Sequence, residues 1–331
     1  MPKNLLLLFA FLLFLLFILG NIYSSSITPD KNISYGVSFS QRYTEYLGLP
    51  WKTVYLNILE GLEVKNLRIS TVWKDIEKEK GQFSFEETDF LLDQAESYNA
   101  KILLVLGLKQ PRWPECQPPN WVKNSTLQER NEATLRFMET VVKRYNDHPA
   151  VWGWQIENEP LLNFGEGCDP PNRQFLKKEV ELVKNLTSRP IVITDSGELR
   201  PWITPMRLSD IFGSTLYRQV YDRFFGYFYY PFPPVFYSIK LNIIRTLFAQ
   251  NNQRTIISEL QTEPWFKTSA LETPIIDHPK IFSASDFAKT TEFAGRTGFD
   301  LIYLWGVEWW YFMDKFDNPK YLEFAKKLLA P

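Results

Sequence analysis

Along the chain, short apolar and β-branched runs alternate with longer stretches in which apolar residues recur every three or four positions. The short runs predict eight strands: Ile33–Phe39, Leu67–Thr71, Lys101–Gly107, Val151–Glu157, Pro190–Asp195, Ile211–Leu216, Thr255–Glu259 and Leu301–Trp305. Helical stretches between them include Thr53–Val64, Glu86–Ser97, Leu127–Tyr145, Asn172–Asn185 and Ala284–Arg296, and Pro319–Leu329 predicts a last helix. A strand followed each time by room for a helix is the mark of parallel βα units, and eight such units predict a closed (β/α)₈ TIM barrel. An open doubly wound sheet would carry a glycine-rich phosphate turn after its first strand. Here that strand runs into Gly36-Val-Ser-Phe-Ser-Gln-Arg, so the barrel is expected, over residues 27–331.

One segment falls outside this alternation. Leu5–Leu19 is an unbroken Leu/Phe/Ile/Ala run preceded by Lys3, the charged-then-apolar plan of an export signal. Counted on through Tyr23 it approaches the ~20 residues of a spanning helix, and no A-x-A cleavage site follows it. Residues 1–26 are therefore expected to be a signal peptide or an uncleaved N-terminal membrane anchor. The barrel would then work outside the cytoplasm, secreted or held at the cell surface. In that setting Cys116 and Cys168 either pair or stay as two thiols, and the sequence leaves both open. Asn32, Asn124 and Asn185 head glycosylation sequons.

Composition removes several functions. Thirty-seven basic against 38 acidic residues give a net charge of -1, with no basic block to follow phosphates, so nucleic acid is not an expected partner. Two cysteines and two histidines cannot build a Cys₄ or three-His zinc site, and neither a metal nor an organic cofactor is expected. Aromatic residues, in contrast, make up 16% of the chain. Sugar rings have apolar faces that stack on flat aromatics, so the excess hints at carbohydrate.

In a barrel of this kind chemistry gathers where the strands end. Arg68 lies on the second strand, and Lys109, Trp113 and Glu115 follow the third. The fourth ends in Gln155-Ile-Glu-Asn-Glu-Pro, the sixth in Tyr217, the seventh in Ser258-Glu259, and the eighth in Trp305 with Glu308 beyond it. Cleaving a glycosidic bond needs one carboxylic acid to protonate the leaving oxygen and a second carboxylate to attack or to activate water. Glu159 and Glu259 are the best-placed pair.

With these residues in view, the chain resembles the clan A glycoside hydrolases, retaining enzymes built on TIM barrels. Val151-Trp-Gly-Trp-Gln-Ile-Glu-Asn-Glu-Pro resembles their Asn-Glu-Pro acid/base motif, and Thr255-Ile-Ile-Ser-Glu resembles the strand that ends in their nucleophile. The resemblance runs from about Ile33 to Trp310. It implies that Glu159 is the general acid and then base, and that Glu259 is the nucleophile of a double displacement. Asn158 would hold the hydroxyl beside the reacting carbon, Arg68 would keep Glu259 ionised, Tyr217 would hydrogen-bond Glu259, and Trp305 would floor the sugar. Trp73-Lys-Asp-Ile-Glu-Lys-Glu-Lys-Gly-Gln-Phe-Ser-Phe is similar to families 42 and 35, the β-galactosidases. The Asn-Glu-Pro ending and Tyr145-Asn-Asp-His-Pro resemble family 5 cellulases and mannanases. Family 5 places a His just before its sixth-strand Tyr, whereas Thr215 and Leu216 precede Tyr217 here, which leaves the sugar open.

The remaining polar residues carry blander expectations. Strand alternation would turn Glu157 to the same side as Glu159, as a hydrogen-bonding neighbour. Glu263 and Glu308 read as solvated loop charges, and Trp309 and Trp310 as either core or sugar platforms. His148 and His278 have no metal-ligand neighbours, and Ser258 has no His-Asp partners for a triad. The aromatic segment from Tyr217 to Tyr237 reads as a rim, lid or membrane-facing patch, or as an insertion packed on its own barrel. Two rival functions share these residues: a carbohydrate-binding barrel without chemistry, and a transglycosylase using the same carboxylates.

Overall fold

The structure, a computed structural model, describes residues 33–248 and 253–330. The apolar run Leu5–Leu19 and the sequon at Asn32 lie outside these residues. Among the described residues no helix is long and apolar enough to cross a membrane.

Ten strands are formed among the described residues: β1 (Ser34–Phe39), β2 (Asn66–Ser70), β3 (Lys101–Leu106), β4 (Val151–Ile156), β5 (Ile191–Asp195), β6 (Ile211–Leu216), β7 (Gln219–Asp222), β8 (Gly226–Tyr229), β9 (Arg254–Gln261) and β10 (Leu301–Trp305). Eight of them close a parallel barrel in the order β1-β10-β9-β6-β5-β4-β3-β2, and β7 and β8 form a separate antiparallel hairpin. The predicted barrel strands are therefore all present, with ends moved by a residue or two. Closure is made by β1 on β10, from Ser34 opposite Leu301 to Ser38 opposite Trp305.

Helix starts explain why several connections leave the barrel where they do. Thr126 and Glu129 form a reciprocal capping box at the head of Leu127–Tyr145, Ser283 and Asp286 do the same for Ala284–Ala294, and Asn172 caps Arg173–Leu186. The apolar faces of these helices close a large core outside the sheet. A second, smaller cluster of Leu103, Val192, Ile256 and Tyr303 fills the barrel interior. That plug matters for function. Beyond it the buried side chains include the polar Arg68, Gln155, Thr194 and Glu259.

The insertion after β6 is more ordered than its composition suggests. Phe232 stacks on Phe236 with ring centroids 4.3 Å apart, and Tyr237 packs edge-on against Phe293. This part is an insertion packed on its own barrel. Phe224 and Phe225, at the tip of the β7–β8 hairpin, stay exposed.

Candidate active site

Arg68 is the hub of the polar layer and is 1% exposed. It projects inward from β2, opposite Ser38 on β1 and Leu103 on β3. Taking a guanidinium out of water is costly unless its donors are used. Here Nε donates to Gln155 Oε1 at 2.7 Å, Nη2 to Asn158 Oδ1 at 2.8 Å and Nη1 to Glu259 Oε1 at 2.8 Å. The other oxygen of Glu259 accepts from the Tyr217 hydroxyl at 2.8 Å. Glu259 thus has a donor on each oxygen, the surroundings a charged carboxylate needs.

Glu159 has the opposite surroundings. It is buried, and its only side-chain hydrogen bond among the described residues is from Thr215 Oγ1 to Oε1, at 3.0 Å. Burial, then the negative charges of Glu259 and Glu115, push its carboxyl well above the usual carboxylate range. The backbone holds Glu159 in the left-handed region at φ 43°, a conformation that costs a non-glycine residue about 1–3 kcal/mol. Its N–H donating to Thr194 Oγ1 at 2.9 Å helps hold that turn. Thr215 also stands opposite Glu259 in the β6–β9 register, so one threonine is neighbour to both carboxylates.

Structure and expectation part company at several positions. β4 ends at Ile156, and Glu157 turns left-handed at φ 56°, so strand alternation no longer governs it. Its side chain accepts from the backbone N–H groups of Leu108 and Lys109 instead, in space left free because residue 107 is a glycine: a Cβ there would lie 2.1 Å from Glu157 Oε1. Glu263 and Glu308 are not solvated charges. Both are buried and both pair with Arg112, whose guanidinium is sandwiched between the rings of Tyr43 and Trp305 at 3.9 and 4.0 Å. Burial raises the Glu263 carboxyl to about 7 against the pull of Arg112. Trp305 is thus covered by a cation on one face and is itself only 8% exposed. Trp309 and Trp310 are core residues, their ring N–H groups donating to His278 and to the Thr262 carbonyl.

The structure therefore brings Glu259, Asn158, Arg68 and Tyr217 into one hydrogen-bonded set, with Glu159 held separately by Thr215 and Trp305 near Arg112. Two charged residues of the β3 loop complete the neighbourhood. Lys109 donates to the carbonyls of Glu159 and Leu162 and pairs with Glu115, whose carboxyl burial pushes up to about 7. Arg112 went unrecognised in the sequence. Its signal was the spacing Lys109, Arg112, Glu115, three charges in a short loop after an apolar strand.

Cys116 and Cys168 form a disulfide that ties the β3 loop to the β4 loop. Closing a 52-residue separation removes unfolded-state entropy worth about 4 kcal/mol in the loop model. The Cys116→Ser/Cys168→Ser protein is expected to unfold at lower urea, with the m-value rising because the unbridged unfolded chain exposes more surface. A loss smaller than about 0.5 kcal/mol would show that the bridge does not constrain the unfolded chain.

A closed parallel barrel with paired carboxylates ending its fourth and seventh strands, and an arginine and tyrosine holding the second of them, is the arrangement of a clan A glycoside hydrolase. The comparisons fit that class. A family model described as beta-galactosidase, that of glycoside hydrolase family 42, matches residues 116–192. Mannan endo-1,4-beta-mannosidase A of Emericella nidulans is 23% identical over 128 residues, covering 35% of this chain and 32% of that protein. Beta-galactosidase BgaA of Clostridium cellulovorans is 24% identical over 189 residues, covering 50% of this chain and 29% of that protein. The chain thus spans about a third or less of the length of these two relatives. In fold it is similar to the beta-galactosidase from the psychrophilic Marinomonas ef1, with a TM-score of 0.60 at 14% identity, over 90% of this chain and 59% of that one.

Proposed function

We propose that the chain is an O-glycosyl hydrolase that cleaves a β-linked glycoside by double displacement. The observation that carries this reading is the contrast between the two carboxylates. Glu259 meets a donor on each oxygen, whereas Glu159 is buried, has one weak donor, and has its carboxyl raised well above the usual range. Such a division of environments separates a nucleophile from a general acid.

In the first step the Glu159 proton passes to the glycosidic oxygen as the bond from that oxygen to the anomeric carbon breaks. The Glu259 carboxylate forms a bond to the same carbon, giving a glycosyl ester. In the second step the Glu159 carboxylate takes a proton from water, whose oxygen attacks the anomeric carbon and frees Glu259. Asn158 spends its Oδ1 on Arg68, so its amide N–H groups are the part left to donate to the adjacent sugar hydroxyl. The retaining course is supported by Thr215, which sits across one strand pairing from Glu259 (~4.8 Å between adjacent strands) and bonds Glu159 directly. We also read the barrel as working outside the cytoplasm, tethered or released after export. Leu5–Leu19 supports this, as does a disulfide of the kind that persists in oxidising compartments.

The test is sugar release by the full chain from aryl β-galactosides, β-mannosides, β-glucosides and β-xylosides and from the matching β-1,4-linked oligosaccharides. The pH profile is the sharper part. Because burial and the neighbouring carboxylates raise the Glu159 carboxyl, it keeps its proton to higher pH than an ordinary carboxyl, so activity should fall as pH climbs through that raised value. The Glu159→Gln protein should lose that alkaline limb. It should also lose on the order of 10²–10⁴-fold on sugars with poor leaving groups, and far less on activated aryl glycosides, which need no proton. An unchanged alkaline limb in Glu159→Gln would remove Glu159 from the acid's role.

A further inference from the structure

We propose that residues 107–117 form a strap that closes the glycone side of the barrel mouth, so that the site accepts the terminal sugar of a β-glycoside and removes one residue at a time. This rests on the hydrolase reading above and adds where along the substrate the cut falls.

The strap leaves β3 and reaches the ends of β9 and β10. Its tip meets Tyr43 after β1, Trp305 ending β10 and Glu263 after β9, so the strap lies over the β1, β10 and β9 part of the mouth. It is a compact loop that brackets its own tip: Lys109 bridges Cys116 in antiparallel fashion, and the Gln110 N–H donates to the Glu115 carbonyl at 3.0 Å. At its root Glu157 accepts from the Leu108 and Lys109 N–H groups. On its return side the disulfide joins Cys116 to Cys168. At its tip Arg112, held left-handed at φ 82°, enters between Tyr43 and Trp305 and pairs with Glu263 and Glu308. Glu308 is fastened in turn by the Ser40 N–H.

The chemistry says which side this is. Glu159 protonates the leaving group, so the leaving side lies by β4. The sugar under attack lies by Glu259, and any sugar linked beyond it would have to run toward β10, β1 and β2. Arg112 occupies that direction. The void beside Arg112, bordered by Ser38, Arg68, Ser70, Trp305 and Glu308, measures about 10 Å³, room for about one water. The leaving side differs. Trp113 and Phe164 are exposed and pack edge to face, and Trp265 links Phe164 to Tyr217, giving an aromatic rim for an aglycone to stack on.

The experiment follows early products from β-1,4-linked hexasaccharides labelled at the reducing end, beside hydrolysis of aryl β-glycosides, for the full-length wild type and two variants. Arg112→Ala opens the tip but leaves two buried carboxylates unpaired. Arg112→Met/Glu263→Gln/Glu308→Gln therefore accompanies it as a matched neutral replacement. The wild type should release monosaccharide as its first product. The variants should release di- and trisaccharides, with internal cuts rising at least about tenfold relative to terminal ones, a change that general loss of stability does not produce. Internal fragments as the first wild-type products would overturn the strap, and so would variants that hydrolyse aryl glycosides yet still yield only monosaccharide. In both cases Glu259-dependent aryl hydrolysis would leave the hydrolase reading standing. A folded wild type that hydrolyses none of these glycosides overturns that reading and the strap together.

Discussion

Replacing Glu259 with alanine is expected to lower kcat/KM on every glycoside the protein cleaves by at least about 10⁴-fold, with the fold intact. The size follows from what is removed. In the proposed double displacement Glu259 would supply the bond that divides one difficult step into two, and no other carboxylate among the described residues has both Arg68 and Tyr217 as donors. The truncated side chain leaves room for a small anion beside those donors. Added azide should therefore restore turnover of an activated aryl glycoside and give a glycosyl azide of inverted configuration. The same azide should not give that product with Glu159→Ala, where the nucleophile is present. If Glu259→Ala keeps wild-type rates, the site is elsewhere; if azide yields no glycosyl azide, Glu259 is not the attacking group.

Arg68→Met should produce the largest loss of stability among single substitutions in the site, about 3–5 kcal/mol. The buried arginine satisfies Gln155, Asn158 and Glu259 at once, and its removal strands a buried carboxylate along with two amide oxygens. The double variant Arg68→Met/Glu259→Gln takes away the stranded charge. Urea unfolding should accordingly give a coupling of roughly 1–3 kcal/mol between the two positions. Strict additivity would mean that the ion pair does not hold this layer together. Activity should fall in Arg68→Met as well, because Asn158 loses the bond that orients its amide.

Legibility tracked how local each signal was. The strands were readable because parallel barrel strands are buried on both faces and carry continuous apolar runs, as residues 102–106 and 191–193 do. Asn158, Glu159 and Glu259 were readable because each lies near or just beyond the end of a strand, within a motif a few residues long. The direction of Glu157 was not, since it depended on where β4 stopped and on Gly107 leaving space for its carboxylate. The pairing of Cys116 with Cys168 stayed open until two loops were seen to bring their Cα atoms within 5.1 Å. Trp309 and Trp310 read in sequence as either core or sugar platforms, and the structure places both in the core, where their large apolar area is buried.

By itself, the order of apolar runs determined a parallel eight-stranded barrel, and the residues ending those runs determined which carboxylates meet at its mouth, because strand ends converge whatever the loops do. Only the tertiary structure decided what stands around them. Arg112 meets Glu263 and Glu308 across 151 and 196 residues of chain. Whether a loop charge ends in water or buried in an ion pair depends on the loop facing it across the barrel, and no local pattern in the sequence records that distance.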